Sequence, residues 1–292
     1  MKLTQWTALA LAVCLPLSAQ AHRAWMLPSA TVLSGEEPWI TVDAAVSNDL
    51  FYFEHFPLMI DGLAQPAPEK AAAADQPPPR RGMARKLLIQ APDGSELKPE
   101  NGSVGRYRST FDVRLNQKGT YKLSIASSGL FASWKQDGKP QRWMGSPEDF
   151  AKQVPANAEE LKVTQNANRM EVFVTSGQPT DSVLKPTGHG LELSPITHPN
   201  DLFAGETAEF AFLLDGKPVE GVEVTVIPGG NRYRDELGDI KLTSDAQGKV
   251  AITWPSAGMY WLEASYQSKE GAAAPATERR AGYSATLEVL AP

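Results

Sequence analysis

Apolar residues recur along this chain in short, β-branched runs, separated by glycine, proline and aspartate, and almost nowhere at helical spacing. Trp39-Ile40-Thr41-Val42-Asp43-Ala44-Ala45-Val46 reads as a buried strand. Further strands are predicted over 86–90, 107–115, 120–125 and 169–175, with a turn at Pro92-Asp93-Gly94. Residues 129–144 carry Phe131, Trp134 and Trp143 around an Asp137-Gly138 turn. One short helix is expected from Ser146-Pro147-Glu148-Asp149 toward Val154: a capping serine, proline at the first helical position and acids in the first turn. From Pro186 onward a second set follows. Runs at 209–214 and 219–226 flank Asp215-Gly216-Lys217-Pro218, a hairpin-type connection. Asp245-Ala246-Gln247-Gly248 turns into 249–254, and runs at 258–262 and 283–290 close the chain.

This pattern predicts an all-β protein of two immunoglobulin-like sandwich units, a β-rich domain over 22–185 and a second sandwich over 186–292. Gly119-Thr120-Tyr121-Lys122-Leu123 is echoed by Gly258-Met259-Tyr260-Trp261-Leu262. The echo is short, and glycine-x-tyrosine-x-leucine also arises independently where a turn meets a strand.

Two stretches break the pattern. Residues 1–21 read as a secretory signal peptide: Lys2, an apolar middle over 8–17, then Ala19 and Ala21 as a small-x-small cleavage site. Cleavage after Ala21 exports the protein with His22 as its first residue. Residues 62–85 turn proline- and alanine-rich, with Pro77-Pro78-Pro79 denying backbone donors, so a flexible exposed insert is expected there. Arg80 and Arg81 read as a solvated pair.

Charge and cysteine content narrow the chemistry. The 292 residues carry a net charge of −6, which argues against a nucleic-acid partner. Beyond the leader, no apolar run is long enough to cross a bilayer as a helix. The single cysteine, Cys14, lies in the leader, so any metal site must use nitrogen and oxygen donors. A rival reading takes Leu11-Ala12-Val13-Cys14 as a lipoprotein box, although valine suits the position before the cysteine poorly. It would leave His22 without a free amine. No Ser-His-Asp arrangement, phosphate loop or helical metalloprotease motif is present, so no enzyme class is indicated.

The four histidines are therefore the candidate chemistry. A terminal His22 offers an α-amino nitrogen, with a pKa of about 7.7–8.0, beside its imidazole: a two-nitrogen chelate. Chain ends fray, so that chelate needs pinning, for which Trp25 and Pro28 are the candidates. His55 sits in Asp49-Leu50-Phe51-Tyr52-Phe53-Glu54-His55-Phe56. A strand there would put Glu54 and His55 on opposite faces, whereas a loop would let them meet. His189 lies between Gly188 and Gly190, which leave its ring unshielded, and His198, before Pro199, reads as a linker histidine.

Ala21-His22-x-x-Trp25-x-x-Pro28 resembles the opening of the DUF4198 family. Gly188-His189-Gly190-Leu191-Glu192-Leu193-x-Pro195, with Pro199, Leu202, Gly205 and Asp215-Gly216-Lys217-Pro218, resembles its later landmarks. The insert at 62–85 matches no landmark. The resemblance implies a periplasmic component of nickel or cobalt uptake, working with an inner-membrane metal transporter, and points to His22, His189 and the weaker His55 as metal ligands. An amine, imidazoles and a carboxylate suit nickel, cobalt, copper or zinc and disfavour magnesium and calcium. Three functions stay open: a metal-capturing protein, an envelope-binding or adhesion module using the aromatics near Trp134, Trp143 and Phe51, and a histidine-brace copper oxidase built on His22 and one other histidine.

Overall fold

The computed structural model describes residues 22–65 and 84–292. The expected signal peptide, and all of the proline-rich insert except its ends at 62–65 and 84–85, lie outside the described residues. Three β-sheets organise the rest. The first runs β1 (Arg23–Pro28), β3 (Trp39–Ser47), β8 (Ser109–Arg114), β7 (Glu100–Val104), with β4 (Phe56–Pro57) also on β3. A ten-stranded central sheet runs β16 (Ile240–Thr243), β15 (Glu223–Pro228), β18 (Gly258–Ser268), β19 (Glu278–Val289), β11 (Glu159–Ser176), β9 (Gly119–Gln136), β5 (Leu87–Gln90), β6 (Glu96–Leu97). On it, β10 (Lys139–Gly145) pairs with β9 and β2 (Val32–Leu33) with β11. The third sheet comprises β12 (Leu191–Pro195), β13 (Thr207–Leu214), β14 (Lys217–Pro218) and β17 (Lys249–Thr253).

The two smaller sheets pack on opposite faces and different halves of the central one. Met26, Ile40, Val42 and Phe111 of the first sheet meet Ile89, Tyr121, Leu123 and Val172. Phe210, Phe212 and Ile252 of the third meet Val224, Tyr260, Leu262, Tyr283 and Leu287. Each fully buried side chain of this size contributes about 1.5–3 kcal/mol by leaving water. The first core takes nothing after Val174 and the second nothing before Leu191. The protein is thus a mostly β molecule of two sandwich units. A feature that strand periodicity did not indicate is the shared sheet: β11 and β19 run parallel, Thr164 opposite Glu278 through Val172 opposite Thr286.

Local predictions follow their physical causes. In β13 and β17 exposed and buried residues alternate, as a sheet with one face on a core requires. Asp137 and Gly138 both have positive φ (52° and 71°), as do Asp215 and Gly216 (50° and 78°), the backbone that a two-residue hairpin with right-handed twist demands. The helix α1 (Pro147–Gln153) begins where its cap was expected, the Ser146 hydroxyl accepting from the Asp149 amide at 3.2 Å. β9 and β11 extend well beyond the predicted 120–125 and 169–175. Their outer parts, which alternate poorly, are held by pairing with each other and by a small core of Leu130, Ala132, Val154 and Val163.

The sequence echo marks a repeated device. Tyr121 Oη donates to the Gln117 carbonyl at 3.0 Å, and Tyr260 Oη donates to the Ser256 carbonyl at 2.8 Å. In each unit a buried tyrosine at the start of a central-sheet strand ties that strand to the chain four residues upstream, much as a tyrosine corner does. Tyr121→Phe and Tyr260→Phe should each lower unfolding stability by about 1 kcal/mol in urea denaturation. Unchanged midpoints in both would show that these bonds contribute nothing net.

Candidate metal centre

His22 and His55 reach one place because β3 has partners on both sides at its end. β1 aligns Arg23 with Ser47, and His22 directly precedes it. After Ser47 the chain loops through 48–55 and returns as β4, which aligns Phe56 with Val46. Each histidine therefore stands immediately before a strand that flanks the end of β3. Their ring centroids are 4.3 Å apart at an interplanar angle of 67°, with the half-exposed Phe56 ring 5.8 Å from His22. Residues 54 and 55 form a bend rather than a strand, so Glu54 and His55 do meet: Glu54 Oε1 is 4.0 Å from His55 Nε2.

The segment that follows His22 is pinned. Trp25 is fully buried with Ala45, Leu50, Ile227 and Trp261, and its Nε1 donates to Ser47 Oγ at 2.8 Å. Trp261 Nε1 reaches back to the Ala24 carbonyl at 3.2 Å, and the Arg23 guanidinium lies over the Trp261 ring. The loop is held as firmly. Glu54 Oε1 accepts from the Asn48 and Asp49 amides at 2.7 and 3.0 Å. Burial alone would raise the Glu54 carboxyl, but those amides, with His55 and Arg232 nearby, hold it below the usual range. From the second unit, Asn231 Oδ1 accepts from the Leu50 amide, and Arg232 pairs with Asp49 and lies 4.0 Å over Tyr52. Sequence reasoning missed Asn48, whose Oδ1 is buried with no hydrogen-bond partner. By the β1–β3 register it stands opposite His22.

His189 does not join this pair, which corrects the expectation that it approaches the pinned terminus. Met170 and Val172 of β11 face the first core, so their neighbours Arg169 and Glu171 face the third sheet, and His189 lies with Arg169. The central sheet therefore stands between His22 and His189. The loop around His189 is wound on a carboxylate: Glu192 accepts from the Thr187, Gly188 and His189 amides and from the Thr187 hydroxyl. Gly188 and Gly190 both have positive φ, which this tight winding needs and which glycine alone adopts freely. Burial pushes the Glu192 carboxyl up, but the Thr187 and Gly188 donors and Arg169 bring it below its ordinary value.

His198 is a structural residue. Its Nδ1 accepts from the Asn200 amide at 3.0 Å, and its Nε2 lies 3.0 Å from Thr120 Oγ1, so both ring nitrogens are used. The aromatics proposed as a binding platform are also largely spent on packing. Trp143 packs on Phe150 with its Nε1 bonded to Gln153, and Trp134 joins the small core beside α1. Among the described residues, no group of three or more His, Cys, Asp or Glu side chains is placed to hold one ion.

Burial lowers the His198 pKa, outweighing the Thr180 backbone, Asp181 and Asp201, which raise it. The unfolded chain therefore takes up this proton first. The His198 contribution to stability is complete above the unfolded pKa of about 6.5 and is lost as pH falls toward the lower folded value. Unfolding midpoints measured from pH 7.5 down to 5 should fall less steeply in His198→Gln than in the parent. Parallel slopes would refute the assignment.

No curated protein matches the chain. Among solved structures, the D0-D1 domain of intimin is similar at 12% identity and a TM-score of 0.21, over 91% of this chain and 97% of that one. Dimeric latent PorU from Porphyromonas gingivalis is similar at 11% and 0.20, over 93% of this chain and 21% of that one. Escherichia coli alpha-2-macroglobulin activated by porcine elastase is similar at 12% and 0.19, over 91% and 31%. Likenesses of this size assign nothing. Among the described residues, no helix is long and apolar enough to cross a membrane. The model of a domain of unknown function, DUF4198, matches residues 19–268, and the chain belongs to that family.

Proposed function

We propose that this protein binds a transition-metal ion at the His22–His55 pair and carries it, outside the cytoplasm, to an inner-membrane transporter. The observation that supports this reading is the pair itself: two imidazoles with ring centroids 4.3 Å apart, His22 on the segment anchored by Trp25 and His55 in the β3–β4 loop. Removal of the leader after Ala21 adds the His22 α-amino nitrogen. Two imidazoles and an amine then form a three-nitrogen set of borderline softness, suited to nickel, cobalt or copper, with copper bound most tightly. Each group has a definable task. The His22 amine and ring chelate from one residue, His55 closes the set from the β3–β4 loop, and the clamp by Asn231 and Arg232 keeps that loop in place. Glu54 lies beside His55 as an anionic neighbour, its Oε1 engaged by backbone amides. The His55 side chain is 34% exposed, so a bound ion stays open to handover.

The same nitrogen set would serve a histidine-brace copper oxidase, the reading favoured by the pairing of His22 with a single other histidine. Substrate-dependent copper turnover distinguishes that enzyme from a carrier. The binding test is calorimetric titration of nickel, cobalt and copper into the protein beginning at His22. His22→Ala, His55→Ala and a form retaining Ala21 ahead of His22 should each bind at least about tenfold more weakly. His189→Ala should bind as the parent does. Equal affinity in the parent, His22→Ala and His55→Ala would overturn the site.

A further inference from the structure

The sheet that brings His22 and His55 together also sets how far apart their backbones stand. Val46 of β3 pairs with Ala24 of β1 on one side and with Phe56 of β4 on the other. The strands that follow the two histidines therefore flank β3, one on each side. Neighbouring strands lie about 4.7–4.9 Å apart, so the flanking backbones are held about 10 Å from each other. Neither can close that gap while β3 lies between them. Both histidines are exposed, and their rings meet over the end of β3 at a centroid separation of 4.3 Å and an interplanar angle of 67°. The Phe56 ring stands beside both, 5.8 Å from His22 and 6.4 Å from His55, and brings no donor atom.

That separation bears on which ion fits. An imidazole nitrogen binds a first-row divalent ion at about 2.0–2.1 Å, which puts the ring centroid about 3.2 Å from the ion. Two such rings stand about 6.4 Å apart in line, about 5.2 Å at a tetrahedral angle and about 4.5 Å at a right angle. The observed 4.3 Å matches the right angle and falls well short of the tetrahedral value. The His22 chelate has the same preference. Its amine and Nδ1 close a six-membered ring on the ion, which also spans close to a right angle. Among the described residues no third His, Cys, Asp or Glu side chain joins the pair, so the remaining positions are open to water. Nitrogens at right angles occupy corners of a square or an octahedron, not of a tetrahedron.

We infer that the His22–His55 site selects divalent ions with square-planar or six-coordinate shells, nickel(II) and copper(II) foremost, and disfavours zinc(II), which prefers a tetrahedral one. The inference rests on the metal reading above and adds a coordination geometry to it. Geometry has to make this selection, because the general affinity order does not rank nickel against zinc.

Cobalt(II) is the probe, since its visible absorption is weak in a six-coordinate shell and intense in a tetrahedral one. Titrated into the protein beginning at His22, cobalt(II) should give the weak bands. Copper(II) should give a tetragonal electron paramagnetic resonance spectrum that loses the splitting of one nitrogen in His55→Ala. Circular dichroism checks that this variant folds. The ratio of nickel to zinc affinity should be at least about tenfold higher than in the free peptide of residues 22–28, which keeps the His22 chelate without His55. Intense tetrahedral cobalt bands, or a nickel-to-zinc ratio no higher than that of the peptide, would overturn the geometry and leave the metal reading standing. Failure of all four ions to bind, or a copper spectrum unchanged by His55→Ala, would overturn both.

Discussion

Thr164 to Val172 and Glu278 to Thr286 lie more than a hundred residues apart in the chain, yet they run side by side as parallel strands. That pairing makes one sheet of what would otherwise be two sandwiches joined by a linker. β11 is also covered on both faces. Met170, Val172 and Val174 enter the first core, while Phe173 and Thr175 are buried on the other side, so the last seven residues of this strand are all buried. Strands covered on both faces lose the alternation of half-exposed ones.

Double coverage has a cost that the structure meets with a polar network. Lys122 and Glu171 on the second face are buried, and Glu171 Oε2 accepts from Tyr283 Oη at 3.0 Å across the β11–β19 seam. Burial pushes the Glu171 carboxyl above its usual range against the opposing pull of Lys122 and Arg169. It pushes the Tyr283 hydroxyl well up as well, with Glu171 adding to the effect. Arg169 bridges Glu171 to Glu192, which in turn winds the Gly188-His189-Gly190 loop. Removing one member of such a network leaves a buried charge unpaired, which generally costs about 3–5 kcal/mol. The loop that carries His189 is thus set by the charge balance at the seam.

The second consequence concerns the histidine pair. The 48–55 loop is clamped by Asn231 and Arg232 from the other unit, and the Trp25 indole is buried against Ile227 and Trp261. The segment that follows His22 thus becomes part of the inter-unit contact. The order needed to bring the His22 and His55 ring centroids to 4.3 Å therefore depends on the second sandwich as much as on the strand that His22 precedes.

Features encoded over a few residues were legible in the chain. Ser146 with Pro147 started the helix, the two Asp-Gly pairs set hairpins with positive φ, and strand-like runs bounded by turns marked β13 and β17. The glycine-x-tyrosine-x-leucine echo corresponds to two tyrosine ties of the same geometry. Trp25 was identifiable as an anchor because a side chain of that size and apolarity favours burial. What periodicity carries no record of is which distant segments meet. The β11–β19 pairing, the separation of His189 from His22 by the central sheet, the orphaned Asn48 Oδ1 and the unpaired Arg169 Nε all arise from contacts between remote strands. Local sequence sets backbone preference and the buried face of each strand. Partner choice is decided by the joint burial of many strands at once, so the grouping of the histidines became visible only in the folded sheet.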